Sequence, residues 1–420
     1  MRGIISSLCG ASCLFAVASV YATPSNEAPL LIAKLSSLPA AGSIFQNETS
    51  GAEEEWNALT QQFVADYTAG NIDAAENGIR RALALAQTTF GAAHPFTADS
   101  LNKLGVVYEY HEDFERAKKN YQAALEILEK HYGPAHPEVA TALNNLANAN
   151  VMQGEYATGE ALHLRALQIR IAASGEDSYP VAQSTYNLAI VYDHSGQTAN
   201  AELFYKQAAN LWEHVLGANH VNVANSLIKL ANIYANQGDA RTAEEFYLRA
   251  LEIQQNNLGP RNVTVADSLF SLGRVCMKQE KYDEAERFYR ESAEIMEAEL
   301  DTDNPRLAVA LYSLANVYHI RAKHEAEYNN NFVAKLPPQV ESSAEFDLTS
   351  QRRAALHTQI SLRQRVVQTL YAKAEPLYQR AAAMFKEIYG ADYPTLKIIH
   401  DELTLLHQGQ QSPRSVSRAD

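Results

Sequence analysis

Leucines recur along this chain at a fixed interval. Leu104, Leu146, Leu188, Leu230, Leu272 and Leu314 are each 42 residues apart, and each is followed by Gly or Ala (Gly105, Ala147, Ala189, Ala231, Gly273, Ala315). Four positions after the leucine stands Tyr108, Tyr192, Tyr234 or Tyr318, with Asn150 and Cys276 as the exceptions. A second set of columns keeps the same period. Ala75, Ala117, Gly159, Ala201, Ala243 and Ala285 are followed four residues later by Ile79, Tyr121, His163, Tyr205, Tyr247 and Tyr289. Three further on come Ala82, Ala124, Ala166, Ala208, Ala250 and Ser292. Offsets of zero, four and seven describe one face of a helix. Each unit is therefore predicted to hold two helices, A and B, with small residues set against large ones so that the pair can interlock closely.

The punctuation fits this division. Gly70, Gly154, Gly196 and Gly238 mark the A–B turn. Gly91, Gly133, Gly175, Gly217 and Gly259 lie just past helix B, where a left-handed residue ends a helix. Pro95, Pro137 and Pro305 open helix A, where a missing N–H costs nothing.

Seven units are readable. The first, about 54–94, is degenerate in helix A: Trp56, Leu59, Phe63 and Tyr67 supply the packing and Gln62 occupies the leucine column. An atypical terminal unit suits a cap. The seventh is interrupted. Its helix A (Leu311, Leu314, Ala315, Tyr318) begins on schedule, but its helix B (Ala374, Tyr378, Ala381) arrives 47 residues late. The insertion, about 322–371, reads as a polar loop at 329–349 followed by a helical stretch at 350–371, with Pro376 expected to kink or break a continuous helix. Leu396, Ile399, Leu403 and Leu406 predict a capping helix after Pro394.

These residues resemble the tetratricopeptide repeat: Leu-Gly/Ala-x-x-Tyr in helix A, then Ala-x-x-x-Tyr-x-x-Ala in helix B. The 42-residue period and the linker "YGPAHP" at 132–137 are similar to the longer kinesin-light-chain variety. The resemblance covers 54–407 and implies an all-α fold, an α-α superhelix of about seven hairpins with a C-terminal capping helix. The coiled coil of kinesin light chains has no counterpart in 23–52, so the resemblance carries fold and binding style, not motor transport.

In such a stack the helix-A columns two before and two after the leucine share one stripe on the concave wall. The first reads Asn102, Asn144, Tyr186, Ile228, Phe270, Tyr312; the second reads Val106, Asn148, Ile190, Asn232, Arg274, Asn316. Asn225 lies in the column five before the leucine. An amide both donates and accepts, so it can grip a peptide bond whatever the side chain. The resemblance implies that Asn148, Asn232 and Asn316 hold a partner's backbone. With Asn144 and Asn225 they form the candidate groove. Tyr186, Phe270 and Tyr312 would supply contact area and Arg274 a partner for carboxylates. The alternative is that these amides are solvated or bond across to the next repeat.

Charge and the chain ends narrow the class. Net charge is −14, which repels phosphate backbones and argues against nucleic acid. Arg2, an uncharged run from Ile4 to Val20 and the small residues of Val20-Tyr21-Ala22 read as an export signal cleaved after Ala22. The mature chain has no other membrane-spanning candidate and is expected in the periplasm or outside the cell. Residues 23–53 read as a flexible leader and 408–420 as a disordered tail. With Cys9 and Cys13 removed, Cys276 stands alone, so neither a disulfide nor a cysteine metal site is expected.

Other chemistry is sparse. His94, His136 and His220 recur in the inter-repeat linker, which reads as a duplicated cap contact. Asn47-Glu48-Thr49 and Asn262-Val263-Thr264 match the glycosylation pattern. No phosphate loop, nucleophile elbow or zinc-protease signature is present, so no cofactor, metal or catalytic residue is assigned. The sequence points to an exported scaffold that binds a protein or an extended peptide. A structural subunit docking through its convex face or the 322–371 insertion is the alternative. An enzyme with a site around His319, His324 and His357 is a minor one.

Overall fold

The computed structural model describes residues 51–301, 303–334 and 346–411. The expected export signal, Asn47 and the stretches 335–345 and 412–420 lie outside the described residues. Fifteen α-helices and no strand occur among those that are described. They pair as A and B in chain order: α1 (Gly51–Thr68) with α2 (Ile72–Leu85), α3 (Pro95–Tyr110) with α4 (Phe114–Tyr132), α5 (Pro137–Met152) with α6 (Tyr156–Ser174), and α7 (Tyr179–His194) with α8 (Thr198–Leu216). The series continues with α9 (Val221–Gln237), α10 (Ala240–Leu258), α11 (Val263–Lys278), α12 (Tyr282–Glu299), α13 (Pro305–Ala334), α14 (Phe346–Tyr389) and the last helix, α15 (Pro394–Gln411). Two compact units divide the chain within α9, at Ile233 and Tyr234.

In the N-terminal unit α1, α3, α5 and α7 each pack on their own B helix, and α2, α4 and α6 on the next A helix. The degenerate first hairpin is anchored by Trp56, which stacks on Phe96 at 4.1 Å and donates from its indole nitrogen to Ser100 Oγ at 2.9 Å. Tyr121 and Tyr205 are fully buried, each contributing on the order of 1.5–3 kcal/mol. Close approach requires glycine at two points: a Cβ on Gly105 would stand 2.5 Å from the Tyr121 ring, and one on Gly159 would stand 2.5 Å from Val151 Cγ2.

The C-terminal unit repeats the arrangement around Tyr247, Phe270, Tyr289, Tyr378 and Phe385. A Cβ on Gly273 would lie 2.8 Å from the Tyr289 ring. Tyr378, displaced in sequence by the insertion, is buried and packs against Tyr312 at 5.8 Å, as Tyr289 packs against Phe270 at 5.2 Å. The leucine and tyrosine columns thus recur at equivalent places in each unit.

The insertion differs from expectation. The stretch 350–371 is helical as expected, but among the described residues 329–334 and 346–349 are helical too, so both arms of the seventh hairpin are longer. Pro376 lies inside α14 and does not end it. Interior proline costs about 3 kcal/mol. Here the helix is held on both sides of the proline by buried Leu370, Tyr371, Ala374, Tyr378 and Ala381, so packing outweighs the local preference. The chain ends also carry more helix than expected, since α1 begins at Gly51 and α15 runs to Gln411.

The turn glycines have positive φ, and two turns reach the same conformation without glycine, at Glu112 (φ 58°) and Glu280 (φ 60°). The tyrosine column after the leucine ties neighbouring hairpins together. Tyr108 OH accepts from Arg80 Nη2 at 2.8 Å, and Tyr192 OH donates to Glu160 Oε1 at 2.9 Å. Tyr318 OH donates to Glu286 Oε1 at 3.1 Å and accepts from Arg290 at 3.0 Å.

Candidate functional site

The A helices present one face to their B partners and another away from them. The nine groove candidates divide between interior and surface. Asn144 is buried, and its Oδ1 accepts from Asn187 Nδ2 at 2.6 Å on the next A helix. It joins repeats, the alternative the sequence allowed, and offers nothing to a ligand. Phe270 and Tyr312 are also interior side chains, packed on Tyr289 and Tyr378. These three members of the column two before the leucine face the packed interior rather than solvent, so they leave the groove. Asn148, Tyr186, Asn225, Asn232, Arg274 and Asn316 are half-buried.

Two of the six are engaged by the protein itself. The Tyr186 ring stands edge-on to Tyr205 at 5.5 Å, and burial with the nearby Asp193 charge pushes its phenol well above the usual range. Asn316 Oδ1 accepts from Tyr378 OH at 2.6 Å. In the N-terminal unit Asn148, Asn225 and Asn232 are half-buried polar positions on the A-helix face. In the C-terminal unit Arg274 is another.

Behind these positions lies a polar layer that the columns did not reveal. Lys103 is buried and paired with Asp99 one turn before it. Glu138 lies nearby; burial and then the Asp99 charge push its carboxyl above the ordinary range, with Lys103 opposing. In the C-terminal unit Arg306 occupies the position equivalent to Glu138 and pairs with Asp267. The signal was present as an acid followed 39 residues later by a charged residue (99 and 138, 267 and 306), an offset set by neighbouring A helices rather than by the repeat length.

The linker histidines are caps. Nδ1 of His94, His136 and His220 accepts from the backbone N–H two residues on, each at 3.2 Å. At the same place in later repeats Asn262 and Asn304 do so through Oδ1, at 2.8 and 2.9 Å. The Asn262 amide of the glycosylation pattern is thus the cap of α11.

A scan of family models matches the tetratricopeptide repeat at residues 64–130, 138–213, 204–256, 222–294 and 264–327, more than half of the chain. The chain belongs to the tetratricopeptide repeat family. A search of curated proteins finds no match. Among solved structures, the quorum sensor NprR from B. thuringiensis is similar over 94% of this chain and 96% of its own, at 13% identity and TM-score 0.51. A signal transduction ATPase with numerous domains from Pyrococcus horikoshii, carrying a tetratricopeptide repeat sensor, is similar over 64% of this chain and 39% of its own, at 16% identity and TM-score 0.53. A putative kinesin light chain from Podosopora anserina matches 47% of this chain and 94% of its own, at 20% identity and TM-score 0.41. These likenesses concern fold.

Within the tetratricopeptide frame the histidine cluster of the C-terminal unit is a docking contact. His319 Nδ1 lies 2.9 Å from Glu402 Oε2 on α15 and 3.4 Å from Tyr378 OH. Burial alone would raise the Glu402 carboxyl, but the His319 hydrogen bond and Lys323 hold it below the usual carboxylate range. His319 is 1% exposed, and the Tyr378 proton is donated to Asn316. A histidine, a carboxylate and a hydroxyl converge where solvent does not reach the histidine, and the His319–Glu402 contact joins α15 to α13. His324 stands apart, edge-on to Tyr282 at 5.2 Å. Cys276 is buried, and burial with the Glu244 charge pushes its thiol up to about 12. Among the described residues no helix is long and apolar enough to cross a membrane.

Proposed function

We propose that the protein is an exported, non-catalytic scaffold that holds an extended segment of a partner protein along the A-helix face of its N-terminal unit. The observation that carries this is the register of Asn148 and Asn232. They occupy the same column two repeats apart and both are half-buried, whereas Asn144, one turn before Asn148, is buried against Asn187. An amide at the edge of a rigid wall can pair with a peptide bond without reading its side chain. Asn225 lies two helical turns before Asn232 on the same helix face. A solenoid's inner wall is its usual binding surface. Export rests on the charge-free run before Ala22, and N-terminal sequencing of the mature chain should begin at Thr23.

The test is selection of extended peptides on the full chain, followed by affinity measurement on Asn148→Ala/Asn232→Ala. Binding at least tenfold weaker, with an unchanged helical circular dichroism signal, supports the reading. Equal affinity rejects it.

A second reading, assembly through the insertion, is favoured by the lengthened seventh hairpin. Tyr328 and Leu362 are more than half exposed on its arms, and Arg363 lies over the Tyr328 ring at 3.9 Å. Removing the arm tips would then abolish assembly while leaving peptide binding intact.

A further inference from the structure

Two joints between hairpins lack the tyrosine that fills the others, at Asn150 and at Cys276, and the first is bordered by a cleft. Tyr108, Tyr192 and Tyr318 each wedge a ring between two successive B helices. Their hydroxyls reach the preceding one, at Arg80, at Glu160, and at Glu286 with Arg290. Their rings meet the following one, with Arg116 over Tyr108 at 5.7 Å, Phe204 against Tyr192 at 5.1 Å and Lys373 over Tyr318 at 5.2 Å. Asn150 holds this column between α4 and α6. Its Nδ2 turns back to donate to Leu146 O at 2.7 Å, so the amide stays on its own helix.

The space a ring would fill is open. A cleft of about 520 Å³ runs between α4 and α6, with buried Leu146 and Asn150 as its floor, Leu162 on one wall, Thr158 at its mouth, and Lys118 and Gln122 on the opposite wall. Its polar end matches its siblings in position. Lys118 and Gln122 stand where Glu76 and Arg80 stand one repeat earlier, and where Glu286 and Arg290 meet the Tyr318 hydroxyl four repeats later. The cleft thus combines Leu146 and Leu162 as apolar contacts, a cation for a ring face in Lys118, whose Nζ is held by Glu155 and Gln153, and the Gln122 amide, bonded to Glu126, where a phenol oxygen would arrive.

We propose that this cleft is a second binding site, which takes a tyrosine side chain of a partner protein and completes the column from outside. It lies between B helices and is independent of the A-helix face. Tyrosine is favoured over an aliphatic residue because four sibling positions of the same register hold tyrosine, three of them with the hydroxyl bonded to the preceding B helix.

The experiment is saturation-transfer NMR on the full chain with N-acetyl-L-tyrosinamide, the phenylalanine amide and the leucine amide. The expected result is saturable binding of the tyrosine amide, weaker binding of phenylalanine and at least tenfold weaker binding of leucine. Asn150→Tyr supplies the ring from within and should abolish binding while leaving the melting temperature equal or higher. Thr158 is exposed, so Thr158→Trp closes the mouth without touching the core and should also abolish binding, which decides the matter if Asn150→Tyr folds poorly. Absence of saturable tyrosine-amide binding, binding unchanged in Thr158→Trp, or leucine binding as tight as tyrosine would overturn the proposal.

Discussion

Lys118 Nζ lies 2.9 Å from the Glu155 carboxylate, and the same contact recurs three repeats later with its charges exchanged. There Glu244 Oε2 lies 2.7 Å from Lys281 Nζ. A glutamine assists both: Lys118 Nζ donates to Gln153 Oε1 at 2.9 Å, and Gln279 Nε2 donates to Glu244 at 2.7 Å. These are the two joints where the tyrosine column reads Asn150 and Cys276. An ion pair with a glutamine thus accompanies both departures from tyrosine.

The exchange can be made by hand. Lys118→Glu alone sets like charges together and should cost about 0.5–1 kcal/mol, the range of partly exposed pairs. Lys118→Glu/Glu155→Lys should recover most of that loss, because the amide can present either end. Urea unfolding midpoints of the two single variants and the double variant close the cycle.

Helix contact in each unit depends on a missing methyl. Gly105→Ala and Gly273→Ala should each destabilise by about 1–2 kcal/mol, because the opposing tyrosine ring must shift by several tenths of an ångström. The cost stays at the low end because Ala189 and Ala231 hold this column in other repeats, where the facing tyrosines accommodate them. Thermal melts of the two variants measure it.

The histidine caps make folding sensitive to pH. Burial lowers the His94, His136 and His220 pKa, with His131 adding to it for the first two. A cap must be neutral to accept from the backbone, so the unfolded chain binds protons that the folded one refuses. This contribution is complete above the ordinary histidine pKa of about 6.5 and is lost as pH falls from there through the folded values. Melting temperature should drop between pH 7.5 and 5.5. Replacing all three with asparagine, the residue at 262 and 304, should flatten that part of the curve.

Cys276 should resist iodoacetamide in the native chain at pH 8 and react fully in guanidinium. The thiolate is the nucleophile, and its formation is suppressed where the side chain is buried. Alkylation followed by mass spectrometry with and without denaturant reads this directly.

The hairpins were legible because many columns had to hold one register together, and tyrosine, alanine and glycine each had a packing reason to be there. The groove was less legible. A column says which residues share a stripe but not what faces that stripe, and Asn144 turned out to face Asn187, 43 residues on. Capping by His94, His136 and His220 could be anticipated from duplication alone. The seventh hairpin was less legible because Asn329-Asn330-Asn331 and Pro376 were judged by local preference; both lie within helices, and around Pro376 buried neighbours outweigh that preference. The gap at Asn150 was visible as a departure from tyrosine, but its meaning depended on the positions of Lys118 and Gln122.

The length of α14 has a mechanical consequence. At 1.5 Å per residue its 44 residues span about 66 Å, against about 27 Å for the 18 residues of α12. The seventh hairpin is a lever. Its base is clamped by the C-terminal helix through Glu402, so a rotation of a few degrees there would sweep the tip through several ångströms.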